Sequence, residues 1–396
     1  MSITKKLLTL IIISFLSVQA KVKWPTLLDK DPWNDRNNPF IINSAHINTQ
    51  YNYKYTDLKS DNQLTFIPWT DDYWPTYKGG ISNRWNNMSV DWYSSEKYSY
   101  NLLTEEDVKN VMTSELSPSE KYDIFLKRYD FPLTRHERNR TNILKTVEGS
   151  REYDPEFQIP TWEGLCHGWA PATLLYKNPK PVSIKNDDGV EIDFGSSDIK
   201  ALLTFFLHYE KSAQTKFLGE RCDTNFSKLE ELLNSGEISE KEYQRRLIAD
   251  GCADINPGAF HVILANEIKE DRGFIIDITR DQEVWNQPVY AYHSNELSRR
   301  SPNDEEYKYG ARDIVKIEMV VSYVVENAPE WHLNIDHRSY SRAHYEYELD
   351  IDESGNIIGG KWISFERPDF LWMQKAPSFR GFFKGLEQIY LKSISI

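Results

Sequence analysis

The chain has 396 residues, of which 40% are hydrophobic and 27% charged, with a formal net charge of −13. That content suits a globular fold of one large or two ordinary domains. The acidic balance excludes a broad basic face for nucleic acid, and no apolar run reaches the roughly 20 residues that a membrane-spanning helix needs.

Residues 1–20 read as a secretory signal: Lys5 and Lys6 precede an apolar run over 7–16, and Val18-Gln19-Ala20 supplies a small-residue cleavage site. The mature protein is therefore expected outside the cell. Residues 21–103 are rich in Trp, Tyr, Asn and Asp without periodicity, which predicts a loop-rich arm or pro-region laid on a catalytic domain spanning 104–396. That domain starts with helices. Ser117-Pro118-Ser119-Glu120 is a capping box with proline at the first helical position, and Tyr122, Phe125, Leu126 and Tyr129 follow on one face.

The stretch 160–176, PTWEGLCHGWAPATLLY, sets a cysteine between two tryptophans where irregular chain turns into helix. Pro171 is tolerated only near a first turn, so the helix is predicted to start at or just after Cys166. A helix N-terminus with a nearby imidazole lowers a thiol pKa, the placement a nucleophile needs; the bland alternative is a small buried hydrophobe. A helix over 198–211 follows, then a helical hairpin over 227–234 and 239–250 joined at Ser235-Gly236. The chain has three cysteines, an odd number for an exported protein. Cys222 and Cys252 flank the hairpin and are paired here as a structural disulfide, which leaves Cys166 as the free thiol.

From Gly258 the pattern reads as strands over 259–268, 274–280, 284–292, 314–326, 344–351 and 357–364. Helices first and antiparallel strands afterwards make an α+β order. DIDESG at 350–355 has the opening of a calcium loop but Lys361 at its closing position, so it reads as a hairpin turn. His261 then falls at a strand end and Asp277 on the returning strand among apolar neighbours. With Cys166 they can form a Cys-His-Asp relay, although direct pairing of the two strands sets His261 opposite Arg280, so a bulge or diagonal approach is required. Asp254, Asp281 and Asn286 are alternative orienting groups. His167 is a poorer base, because adjacent helical residues point about 100° apart.

GLCHGWAPA at 164–172, NPGAFH at 256–261, VWNQPV at 284–289, and the late IGGKW and PDFLW resemble the transglutaminase elicitor family of secreted oomycete and bacterial proteins. The resemblance covers residues 104–375. It implies a papain-like or transglutaminase-like thiol fold, calcium-dependent activity with ligands unknown, a possible zymogen, nucleophile Cys166, base His261 and orienting acid Asp277. It further implies a protein-glutamine γ-glutamyltransferase acting on proteins with accessible Gln and Lys, through a thioester on Cys166. A cysteine peptidase or glutamine deamidase, or a non-catalytic secreted recognition protein, are the alternatives. The oxyanion would sit near the Cys166 N–H, with a second donor unassigned and Trp162 or Trp169 as candidates. One departure is that VWNQPV continues here as Tyr290-Ala291-Tyr292, where the family has Arg-Gly and an aromatic.

Overall fold

The structure is a computed structural model and describes residues 36–46, 49–90, 94–210, 215–221, 224–247, 254–278, 283–333 and 339–395. The expected signal peptide and the Cys222–Cys252 pair lie outside the described residues. Among the described residues ten strands are formed: β1 Asp61–Gln63, β2 Val182–Lys185, β3 Glu191–Phe194, β4 Lys216–Gly219, β5 Phe274–Asp277, β6 Asn286–Arg300, β7 Asp313–Val324, β8 Tyr340–Ile351, β9 Ile357–Trp362 and β10 Phe370–Met373. Eight of them make one curled antiparallel sheet in the order β4-β10-β5-β6-β7-β8-β9, with β1 added against β6, while β2 and β3 form a separate hairpin. The α+β expectation holds.

Alternation along the strands gives this sheet two working faces. Ile275 of β5 and Trp372 of β10 face a helical core built around Trp74, Trp169 and Phe206. Their neighbours Phe274, Ile276, Leu371 and Met373 face a second core around the helix Pro257–Lys269. The first core holds the helices Pro118–Phe125, Cys166–Leu175 and Ser196–Tyr209. Lys121 and Asp198 meet there at 2.5 Å with both side chains fully buried, and Asp198 also accepts from Trp85 Nε1 and from the Gly195 N–H. Those bonds satisfy the buried charges and cap the Ser196–Tyr209 helix. The expected capping box at Ser117 and Glu120 forms, and the helical hairpin appears as Phe226–Asn234 and Glu240–Leu247.

One expected strand is a helix. Residues 259–268 lie within Pro257–Lys269, where the Asn256 side chain accepts the Gly258 N–H at 2.8 Å and Pro257 occupies the first turn. Asparagine followed by proline is a helix-start signal. It was masked because almost every residue of this helix is buried, so no polar face breaks the apolar run into a helical period. β5 consequently pairs with β6, Asp277 opposite Asn286, and not with residues 259–268.

The described residues of segment 36–103 are short on regular structure, yet three of their tryptophans are interior: Trp69, Trp74 and Trp85 belong to the helical core. It also holds the loop that precedes Cys166. The Tyr73 carbonyl accepts the Leu165 N–H at 2.7 Å, and Thr76 N–H donates to Glu163 at 2.9 Å. Behind the cysteine, the two helices approach at Gly168, where an added Cβ would stand 2.3 Å from the Thr204 carbonyl oxygen. Gly168→Ala is therefore expected to destabilise the protein by about 1–3 kcal/mol, because rigid backbone must move. Denaturant unfolding of the variant checks this, and a change near zero would mean that the helix pair is loosely packed.

Candidate active site

Cys166 is the first residue of its helix, as Pro171 predicts, and Leu165 is the N-cap. The Leu165 carbonyl takes both the Gly168 and Trp169 N–H groups at 2.8 Å, which closes the first turn under the thiol. Gly164 passes so close to Tyr73 that a Cβ there would lie 2.4 Å from the ring. The cysteine is 8% exposed. Its sulfur donates to the Val284 carbonyl at 3.8 Å and receives the Asn286 side-chain N–H at 3.7 Å. Asn286 is in turn fixed by Trp372, whose Nε1–H donates to Asn286 Oδ1 at 2.7 Å.

The electrostatics oppose the expected low thiol pKa. Burial pushes Cys166 up to about 11, against the pull of hydrogen bonds from the side chain and backbone of Asn286, and the charges of Glu326 and Asp277 add to the rise. The Glu326 carboxyl is raised by the same burial and accepts from Gln287 Nε2 at 3.1 and 3.2 Å. The Cys166 side chain is thus a neutral thiol at neutral pH.

Of the three residues predicted as a relay, the fold brings two to one place. Asp277 is fully buried on the face of β5 turned toward Cys166, and its Oδ1 accepts the Trp285 N–H at 3.0 Å. That bond fixes the turn into Asn286, the residue touching the sulfur.

His261 is elsewhere. It belongs to the helix Pro257–Lys269 on the opposite face of the sheet, where Nδ1 lies 2.8 Å from the Tyr347 hydroxyl. Tyr347 is paired with Ile317 and Ile317 with Glu296, ten positions along β6 from Asn286. His261 thus stands in the second core, on the other side of the sheet from the helix that carries Cys166. Burial also brings the His261 imidazole down to about 4, so it stays neutral in its own core.

Two other histidines share the cleft of Cys166. His167 Nε2 and His208 Nδ1 are 2.6 Å apart, a distance that places one proton between two ring nitrogens. The cleft is about 920 Å³, with Trp162, Phe217, Val284, Phe370 and Trp372 as apolar walls and Cys166, Asn286, His167 and His208 among its polar groups. Trp162 therefore lines the cleft, whereas Trp169 is fully buried in the helical core. Of the alternative orienting groups, Asn286 reaches the thiol, Asp254 is paired with Arg367, and Asp281 lies outside the described residues.

Among the described residues, no group of three or more His, Cys, Asp or Glu side chains is arranged to hold a metal ion. The DIDESG turn closes the β8–β9 hairpin, and Asp352 spends its carboxylate on the Ser354 and Asn356 N–H groups. The donor sets described here do not fit calcium, and no chemical step is assigned to it. The raised thiol pKa predicts that alkylation of Cys166 by iodoacetamide climbs about tenfold per pH unit from pH 7 toward pH 11, following the thiolate fraction. A rate profile that levels off below pH 8 would contradict the burial argument.

The sequence matches the family described as Transglutaminase elicitor over residues 42–381. The fold is similar to the crystal structure of the GP42 transglutaminase from Phytophthora sojae, at 21% sequence identity and a TM-score of 0.61, covering 91% of this chain and 99% of that one. No curated protein matches the sequence. With the match running from the arm before the thiol to the segment beyond β10, the chain belongs to the transglutaminase elicitor family.

Proposed function

We propose that this chain is an exported protein-glutamine γ-glutamyltransferase with Cys166 as nucleophile. The observation that carries the reading is a thiol at the first position of a helix, opening into a cleft with an amide donor at its sulfur. Family membership supports a glutamine side chain as the donor substrate. Attack of the sulfur on the carboxamide gives a thioester and ammonia, and a lysine or other primary amine then takes the acyl group.

A neutral thiol must lose its proton as it attacks, and the departing nitrogen needs that proton. The His167–His208 pair lines the same cleft and already shares a proton, so we assign it the proton traffic in both directions. Asp277 acts as a positioning residue through the Trp285 N–H. The aromatic walls keep water from the thioester, which favours amine transfer over deamidation. The N-terminal apolar run and the family support export; among the described residues no helix is long and apolar enough to cross a membrane.

Incorporation of a fluorescent primary amine into a glutamine-rich protein, with and without added calcium, tests the reading. Cys166→Ala is expected to lower incorporation by about four orders of magnitude or more. Ammonia or peptide release without amine incorporation would instead identify a deamidase or a peptidase. In the same assay His261→Gln is expected to leave the rate per folded molecule unchanged, while stability falls by about 1 kcal/mol through the lost Tyr347 hydrogen bond. A large loss of rate in that variant would return His261 to the chemistry.

A further inference from the structure

Attack on a carboxamide puts negative charge on its oxygen, and acyl-transfer sites hold that charge with two fixed N–H donors. One is already in place: the Cys166 N–H lies in the first turn, where the helix itself has no acceptor for it. We propose that the second donor is the side-chain amide of Asn286, aimed by Trp372. The proposal rests on the acyl-transfer reading only so far as Cys166 becomes acylated.

The hydrogen bonds decide the orientation of the amide. Trp372 Nε1–H can only donate, so the atom of Asn286 that it meets at 2.7 Å is the carbonyl oxygen, and the NH₂ end must face the sulfur 3.7 Å away. Trp372 is itself fixed, since β10 pairs with β5 at Ile275 and the indole stacks on Phe217 with ring centroids 5.3 Å apart and planes 11° off parallel. Asn286 opens β6 opposite Asp277, and the Asp277 bond to the Trp285 N–H sets its approach. Both Asn286 and Trp372 are buried and both line the cleft. A donor held in this way needs no reorganisation when charge appears.

The chemistry fits that placement. When Sγ bonds to the carboxamide carbon, the π pair moves onto oxygen, one bond from the carbon and so beside the group that touched the sulfur before attack. Collapse restores the C=O bond and breaks C–N, and nitrogen leaves as ammonia with the proton the thiol gave up. Asn286 gives and takes no proton. Its neutrality suits a pocket where Glu326 and Asp277 already oppose negative charge on sulfur.

The test compares two reactions of the same thiol at one pH. p-Nitrophenyl acetate acylates Cys166 through an oxyanion, whereas iodoacetamide alkylates it without one, so the ratio of the two rates cancels any change in thiolate fraction. Asn286→Ala is expected to lower that ratio about 100- to 1000-fold. Trp372→Phe keeps the stack and removes only the aiming bond, and is expected to lower the ratio about tenfold. Melting curves confirm that each variant is folded, and the tryptophan variant serves alone if the asparagine variant is not. An unchanged ratio, or a wild type that the ester does not acylate, overturns the proposal. A wild type that is acylated but transfers no amine removes the transferase reading and leaves the Asn286 assignment standing.

Discussion

The contact between the N-terminus of the Cys166 helix and the first residues of β6 organises this molecule. The helix is pressed there by Gly168 against the Ser196–Tyr209 helix, and its leading loop is held by Tyr73 from segment 36–103. From the sheet side, Asp277 fixes the turn at Trp285, and β10 delivers Trp372 to Asn286. Parts distant in sequence converge on one sulfur atom. A thiol placed by so many rigid neighbours meets substrate in a fixed geometry, and that is where acyl-transfer enzymes gain much of their rate.

The same convergence has an electrostatic cost. A sulfur that is 8% exposed, with two acidic side chains near it, is a poor thiolate. Burial outweighs the favourable end of the helix dipole, whose surface-exposed contribution is only about 0.3–1 kcal/mol. In the proposed reaction the site therefore depends on proton transfer during attack and on donors that hold charge once it has moved to oxygen. The paired histidines and the Asn286 amide fall on the cleft side of the sulfur, where both needs arise.

Much of this was legible in the residues. Pro171 located the start of the helix at Cys166, and the hydrophobic periods gave most of the long antiparallel strands. His261 was misplaced because a fully buried helix and a buried strand share the same apolar run, and Asn256-Pro257 carried the only local sign of a helix start. Asn286 was recognised as a polar group of interest, but its role depends on Trp372. That residue comes from a short strand inserted between β4 and β5 from far along the chain, and pairing at such range leaves no local pattern. The meeting of His167 with His208 is hidden for the same reason, since it follows from the packing of two helices and not from either one.

The most direct test of the central claim is mass spectrometry of the acid-quenched protein after incubation with a glutamine-containing donor peptide and no amine. The account predicts an adduct with the mass of the donor less ammonia, on the proteolytic fragment that contains Cys166, and its loss on addition of a primary amine. Release of ammonia from the donor with no adduct on that fragment, or with an adduct at another residue, would contradict a thioester at Cys166.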